Sequence, residues 1–446
     1  MSKTNVFYRA QNKDYPVVDS AKGVYIYDTK GNCYLDGASG CLVANIGYGV
    51  EEVADAMKNE AENIGYVHGS MFTNIAQEDF SSAIANSLPK ELKYIYFVSG
   101  GTEANETAIS MAIQYHQQVG NNKKYLIIGR RYSYHGSSFA TLSAAGNTHR
   151  RRLYSPLLMP FPLIPAPYCY RCFCDKEYPK CGVACAGELE KTIIATGPEN
   201  VAAFIFEPII GTSAGACIPP EDYMAIVKQI CDRHDVLMVA DEVLCGYGRS
   251  GKFLAMEYWG IEPDIVTLGK GLGGGYTPLG AVVASEKIYH VYKNTWGKFH
   301  HGYTYQGNPI SCAVGLAVNK FIRKNRLFEK VTPKGIYLRE QLEKLASRYS
   351  IIGDIRGTGL LYGLELVKDK TEKLSFDKSE EAAEKIKSTA LSEGLILYTG
   401  VGGTADIIPR DYLIIAPPFT ISEKEIDQLV GILDSALNKF CRNLRA

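Results

Sequence analysis

The chain has 446 residues, 46% hydrophobic and 22% charged, enough to bury a sizeable core in one large domain plus a smaller one. Its 48 basic and 48 acidic residues cancel, leaving no net field to draw in nucleic acid or an anionic membrane. The start, "MSKTNVFYRAQNKDYPVVDS", holds no apolar core of signal-peptide length, no stretch approaches ~20 uninterrupted apolar residues, and the 12 cysteines read as reduced thiols, so a cytoplasmic protein is expected.

In chain order, "GVYIYDTKGNCYLDGASG" (23–40) alternates apolar and polar residues around Asp28-Thr29-Lys30-Gly31-Asn32, which predicts a hairpin. From about residue 50, helical patterns alternate with short apolar runs. "YIYFVSG" (94–100), "KYLIIG" (124–129), "VAAFIFEP" (201–208), "VLMVADE" (236–242) and "DIVTLG" (264–269) read as buried strands, and "GAVVAS" (280–285) adds another. After about residue 320 comes a long amphipathic helix (326–348), then "IGDIRGTGLLYGLELV" (352–367), a further helix, "LILYTG" and "YLIIAPPF" (412–419). The expected architecture is α/β: a mostly parallel sheet flanked by helices in a large domain (66–320). A small α+β domain is expected from the N-terminal (1–65) and C-terminal (321–446) segments.

Three segments carry chemistry. A strand runs into Ser99-Gly100-Gly101-Thr102 just before a helix predicted from about Glu103. Glycine lets a backbone approach a ligand, free N–H groups at a helix start attract anions, and Thr102 adds a hydroxyl, all of which suit a phosphate monoester. A plain strand-to-helix turn, with Thr102 as a cap, is the other reading. Asp241 follows a buried strand at the carboxyl edge where open α/β sheets bind ligands, although an isolated Asp there is often a helix cap. Lys270 lies between two glycines at the end of another buried strand, 29 residues after Asp241, about one strand–helix–strand unit. Burial disfavours its ammonium and frees the amine for a Schiff base; a lysine reaching solvent through a loop is the alternative.

Gly269-Lys270-Gly271-Leu272-Gly273-Gly274 also spells G-x-G-x-x-G, but Gly275-Tyr276-Thr277-Pro278 follows where a dinucleotide site needs a helix at once. A nicotinamide oxidoreductase is therefore the weaker reading, and a non-catalytic binding module conflicts with the full set of cofactor residues. A phosphate cradle, an aspartate for a pyridinium nitrogen and a Schiff-base lysine together match pyridoxal 5′-phosphate.

With those residues in view, the sequence resembles class III (ω-amino-acid type) pyridoxal-phosphate aminotransferases of fold type I over nearly its whole length. The matching segments are "SGGTEANETA", "SYHGSSFATLSAAG", "FIFEPIIG", "ADEVLCGYGRSGKF", "PDIVTLGKGLGGGYTPLGAV" and "HHGYTYQGNP". The resemblance implies that Gly101 and Thr102 hold the phosphate, that Tyr134 and His135 of "YHG" belong to the cofactor site with Tyr134 stacked on the ring, and that Asp241 pairs with the ring nitrogen. It further implies that Val243 packs on the other face, that Lys270 forms the imine and serves as general base, that Glu207 lies at the site, and that Thr304 reaches the phosphate of a neighbouring subunit in a homodimer with shared active sites. The implied activity is ping-pong transfer of an amino group from an amino acid or ω-amine to a 2-oxo acid such as pyruvate. Epimerisation, decarboxylation, amino migration or phospho-lyase elimination on the same fold are alternatives.

Some positions depart from the family pattern. Where many members read E-P-I-Q, this chain has Glu207-Pro208-Ile209-Ile210. Glu207 pairs in some relatives with an arginine that binds substrate carboxylate; Arg410 is the candidate here, while Arg356 of "DIRGTG" reads as structural. Leu42, in "GASGCLVANIGYG" (37–49), is expected to line the substrate pocket. Cys169, Cys172, Cys174, Cys181 and Cys185 contain C-x2-C followed by C-x3-C, open either to zinc or to reduced thiols packing a loop; no metal is assigned. The run His149-Arg150-Arg151-Arg152 reads as a solvated loop or a local salt-bridge patch.

Overall fold

The apolar runs expected as buried strands lie together in one seven-stranded sheet of the computed structural model, which describes residues 4–400 and 411–445. The order is Leu92–Val98, Gly280–Ser285, Ile265–Leu268, Leu237–Asp241, Val201–Phe206, Leu126–Arg130, Leu163–Ile164. From Ile265–Leu268 onward, neighbours pair in parallel; only Gly280–Ser285 runs antiparallel to both of its neighbours. Alternate side chains serve two apolar layers, as the two-residue period of a strand requires. Phe204, Phe206, Met238, Ala240, Val266 and Leu268 face one layer. Ala203, Ile205, Leu237, Val239 and Ile265 face the other, against Ala104, Ala108, Met111 and Ala112 of the helix Gly101–Gln118. With both faces covered, every residue of Val201–Phe206 and Leu237–Asp241 is buried, which is why these strands read as continuous apolar runs.

The strand directions bring Val98, Phe206, Asp241 and Leu268 to the same sheet edge. The helix after Val98 starts at Gly101, two residues earlier than predicted, because the Glu103 carboxylate reaches back to accept the Ser99 N–H at 2.8 Å. Gly101 and Thr102 therefore belong to its first turn.

The N-terminal hairpin forms as Tyr25–Asp28 and Cys33–Asp36, joined by an unforeseen strand, Val18–Lys22. Cys33–Asp36 pairs in parallel with Leu395–Ile396, so the two ends of the chain share a four-stranded sheet. A second four-stranded sheet joins the hairpin Ile352–Thr358 and Leu361–Leu366 to Tyr412–Ile415 and Tyr398–Thr399. Arg356 is built into its base: it bonds to Asp354 and Glu365 and donates twice to the Ala214 carbonyl. Glu365, fully buried, also accepts from Tyr168 and Arg171, which ties the cysteine-rich segment to this sheet.

In that segment the Cys172 and Cys174 sulfurs lie 3.4 Å apart, and among the described residues no group of three or more His, Cys, Asp or Glu side chains is arranged to hold a metal ion. The basic run at 149–152 was expected as a solvated loop or a local salt-bridge patch. It forms a short helix, Thr148–Arg152, in which Arg151 donates to the carbonyls of Leu142, Ser143 and Ala145 and Arg150 lies on Tyr134. No helix among the described residues is long and apolar enough to cross a membrane.

Candidate active site

Three turns meet at the sheet edge. A Cβ added to Gly101 would lie 2.6 Å from Val243 Cγ1, and one on Gly269 would lie 3.2 Å from that same atom and 3.4 Å from the Gly101 nitrogen. The glycines at 101 and 269 are what allow the first helical turn, the segment after Asp241 and the approach to Lys270 to touch. Gly136 does the same for the "YHG" loop, where a Cβ would meet Thr102 Oγ1 at 2.9 Å. The helix Gly101–Gln118 has no side-chain cap on its first turn, so its leading amides and positive dipole end are open to an anion. Lys270 itself adopts φ 45°, in the left-handed region that a side chain enters at a cost, and such strain collects where a side chain must be aimed.

Asp241 is 3% exposed and held from both sides. Its Oδ2 accepts from Asn105 Nδ2 and His135 Nδ1, both at 2.8 Å, and its Oδ1 accepts the Val243 N–H at 3.1 Å. A carboxylate only accepts, so Nδ1 of His135 carries the hydrogen; its Nε2 is buried with no partner. Asn105 is fixed in turn, donating to the His135 carbonyl and accepting from Thr267 Oγ1, each at 2.7 Å. Asn105 and Thr267 were not picked out from the sequence. The available signal was spacing, since Asn105 lies one turn after Gly101 on the same helical face and Thr267 is the inward-facing residue opposite Asp241 in the parallel register.

Glu207, at the end of its strand, is 4% exposed, and its Oε2 has no partner. Burial pushes its carboxyl up to about 8, Asp241 adding to the rise, while Arg130, Lys270 and the Tyr134 N–H pull against it. Glu207, Asp241, Lys270 and Tyr134 thus share one electrostatic neighbourhood. The Tyr134 hydroxyl bonds to Ser137 Oγ at 3.0 Å.

Of the remaining site candidates, Leu42 and Thr304 lie among the described residues. Leu42 is 2% exposed, with φ 60°, and packs with Ile209, Leu244 and Tyr412; its neighbour Cys41 is the exposed one. Thr304 is exposed in the turn beside Tyr305. Arg410 lies outside the described residues.

The aminotransferase class-III family model matches residues 7–437. The chain is 39% identical over 431 residues to the uncharacterized aminotransferase YodT of Bacillus subtilis, covering 97% of each chain. It is 34% identical over 441 residues to the putrescine–pyruvate aminotransferase of Pseudomonas aeruginosa, covering 97% of this chain and 92% of that one. Its fold superposes on a Bacillus anthracis aminotransferase with a TM-score of 0.91 at 34% identity, covering 97% and 96% of the two chains. The chain belongs to the class-III aminotransferases, enzymes that move amino groups with pyridoxal 5′-phosphate as cofactor.

Proposed function

We propose that this enzyme takes an amino group from an amino acid or ω-amine and delivers it to a 2-oxo acid such as pyruvate, in a ping-pong sequence centred on Lys270. The observation that carries this reading is the contact of the Gly101, Val243 and Gly269 turns around Lys270 and Asp241. The residues fit the cofactor on two independent counts. An uncapped helix start offers amides to a phosphate, and the buried Asp241 carboxylate is braced by Asn105, His135 and the Val243 N–H.

When bound, the cofactor's pyridine ring supplies the electron sink for charge released at the substrate Cα. The rest falls to the chain. Gly101 and Thr102 would hold the phosphate through the helix start and the Thr102 hydroxyl. Asp241 would hold the ring nitrogen's proton; His135 and Asn105 fix the direction of the carboxylate. Tyr134 and Val243 would cover the two faces of the ring. Lys270 would hold the cofactor through its side-chain amine and, once freed, would serve as the general base for the proton at the substrate Cα. Glu207, held largely protonated by burial, lies beside these groups without adding a second full negative charge.

The same reading includes a homodimer in which Thr304 reaches the partner's phosphate. It is supported by an apolar face around Thr304, where Met71, Phe72, Ile75 and Tyr305 are all more than 60% exposed. The division into 1–65 with 321–446 against 66–320 accords with the sheet shared by the chain ends. A cytoplasmic location accords with the absence of disulfides among the described cysteines.

Borohydride reduction of the cofactor-loaded enzyme, followed by peptide mapping, tests the centre of this proposal: the cofactor mass is expected on Lys270. A label on another lysine refutes it. A donor and acceptor screen followed through cofactor absorbance tests the reaction itself.

A further inference from the structure

The cysteines divide by exposure. Cys217, Cys231, Cys245 and Cys312 are buried, while Cys172 and Cys174, in the segment that precedes the helix Ala184–Thr196, are half-buried. Their sulfurs lie 3.4 Å apart in a tight turn that the Asp175 N–H closes on the Cys172 carbonyl at 3.1 Å, with Asp175 at φ 53°. The residue just before the turn is anchored, since Arg171 donates to the fully buried Glu365 at 2.7 Å. Disulfide sulfurs lie about 2.05 Å apart, so closing this pair asks for a movement of about 1.4 Å, within reach of a side-chain rotation.

The pair also has room beside it for a reagent. Cys172 stands in the wall of a cavity of about 750 Å³, together with Arg131, Lys176, Lys373, Glu177 and Glu188. A wall of both charges matches a small peptide that carries an amine and carboxylates. Burial raises the Cys172 thiol, but the N–H groups of Cys174 and Lys176 and the Cys174 thiol outweigh it and hold Cys172 below the ordinary thiol value. Cys174, donating to Cys172, is held above it. A thiolate beside a protonated neighbour is the arrangement that thiol–disulfide exchange uses.

We propose that Cys172 and Cys174 form a redox-active dithiol, modified by small peptide disulfides that dock in the adjoining cavity. The Cys172 thiolate attacks one sulfur of the small disulfide, making a mixed disulfide and expelling one thiolate, which takes up the proton that Cys172 has lost. Cys174 then attacks the Cys172 sulfur, and its proton passes to the second thiol as that leaves. The two cysteine sulfurs are oxidised to one disulfide, and the reagent is reduced to two thiols. An excess of reducing thiol runs the sequence backwards, as a transient disulfide requires. This site is separate from the cofactor residues and independent of the proposed reaction.

The test uses the cofactor-loaded enzyme with glutathione disulfide as the probe, read by alkylation and peptide mapping. In the parent, the peptide Cys172–Lys176 loses two hydrogens, and excess dithiothreitol restores both thiols. Cys174→Ser accumulates a glutathione adduct on Cys172, at least roughly tenfold faster than adducts form on the exposed Cys33 and Cys41. In Cys172→Ser, Cys174 reacts no faster than those surface thiols. Joint replacement Arg131→Gln and Lys176→Gln slows reaction with glutathione disulfide several-fold and leaves uncharged hydroxyethyl disulfide unaffected. Oxidation spread evenly over the exposed cysteines, a bridge from Cys172 to any other cysteine, or equal slowing of the two reagents overturns the proposal. Stoichiometric zinc released as these thiols are titrated also overturns it, making them metal ligands. The peptide map of the parent decides the pairing even where a variant fails to fold.

Discussion

Replacing Asn105 with alanine isolates the network that aims Asp241. The change deletes two donated hydrogen bonds, to Asp241 Oδ2 and the His135 carbonyl, and one accepted from Thr267 Oγ1, in a site where Asn105 is 1% exposed. A bond to a charged group contributes about 1.5–3 kcal/mol and a neutral one about 0.5–1.5 kcal/mol, and a buried partner left unpaired costs its desolvation. Water entering the vacated space returns part of this, so the expected loss of stability is about 3 kcal/mol, read from urea unfolding of the cofactor-stripped chain. Cofactor affinity falls as well, because one of the two side chains that orient Oδ2 is gone. Asn105→Asp separates electrostatics from packing: it keeps the shape but turns an acceptor toward Asp241, and it is expected to be less stable at pH 7 than the alanine variant. Alanine within about 0.5 kcal/mol of the parent, or aspartate more stable than alanine, would refute the reasoning.

Gly101→Ala places a methyl 2.6 Å from Val243 Cγ1, and a β-branched side chain has little rotamer freedom to yield, so cofactor affinity falls at least roughly tenfold and Val243→Ala in the same chain restores part of it. Spectroscopic titration of the cofactor reads both. Burial holds the Glu207 carboxyl at about 8 and that of Glu242 at about 7, above their unfolded values, so their contribution to stability is complete below about pH 4.5 and is lost as pH rises through 7–8. Thermal unfolding of the cofactor-stripped chain therefore shows a Tm that declines from about pH 5 to about pH 8 and then levels, and Glu207→Gln flattens the decline; an unchanged slope would contradict this. Arg356→Ala leaves Glu365, fully buried, with Arg171 as its remaining counter-charge and frees the Ala214 carbonyl, with an expected loss of about 3 kcal/mol in chemical denaturation.

Much of this was legible because local signals and tertiary fold agree. The runs at Val201–Phe206 and Leu237–Asp241 are apolar at nearly every position since both faces of the sheet are covered, and no other environment tolerates that pattern in a short segment. Glycine at 101 marked backbone approach before anything showed which backbones approached. Where side chains rather than backbones decide, the reading fell short. Asn105 and Thr267, on different elements, were not read from the sequence as braces for Asp241.

The sequence by itself determined six of the seven strands of the central sheet, the positions of Gly101, Asp241 and Lys270 at segment ends, and the family to which those motifs belong. Periodicity, glycine placement and residue chemistry are local properties that survive without coordinates. Only the tertiary structure decided that Asn105 and Thr267 brace Asp241, that Arg356 is absorbed by Glu365, and that Arg150 alone of its basic run faces Tyr134. Each of those depends on side chains far apart in the chain meeting across a packed sheet edge, and one-dimensional spacing carries no record of which partner a side chain finds there.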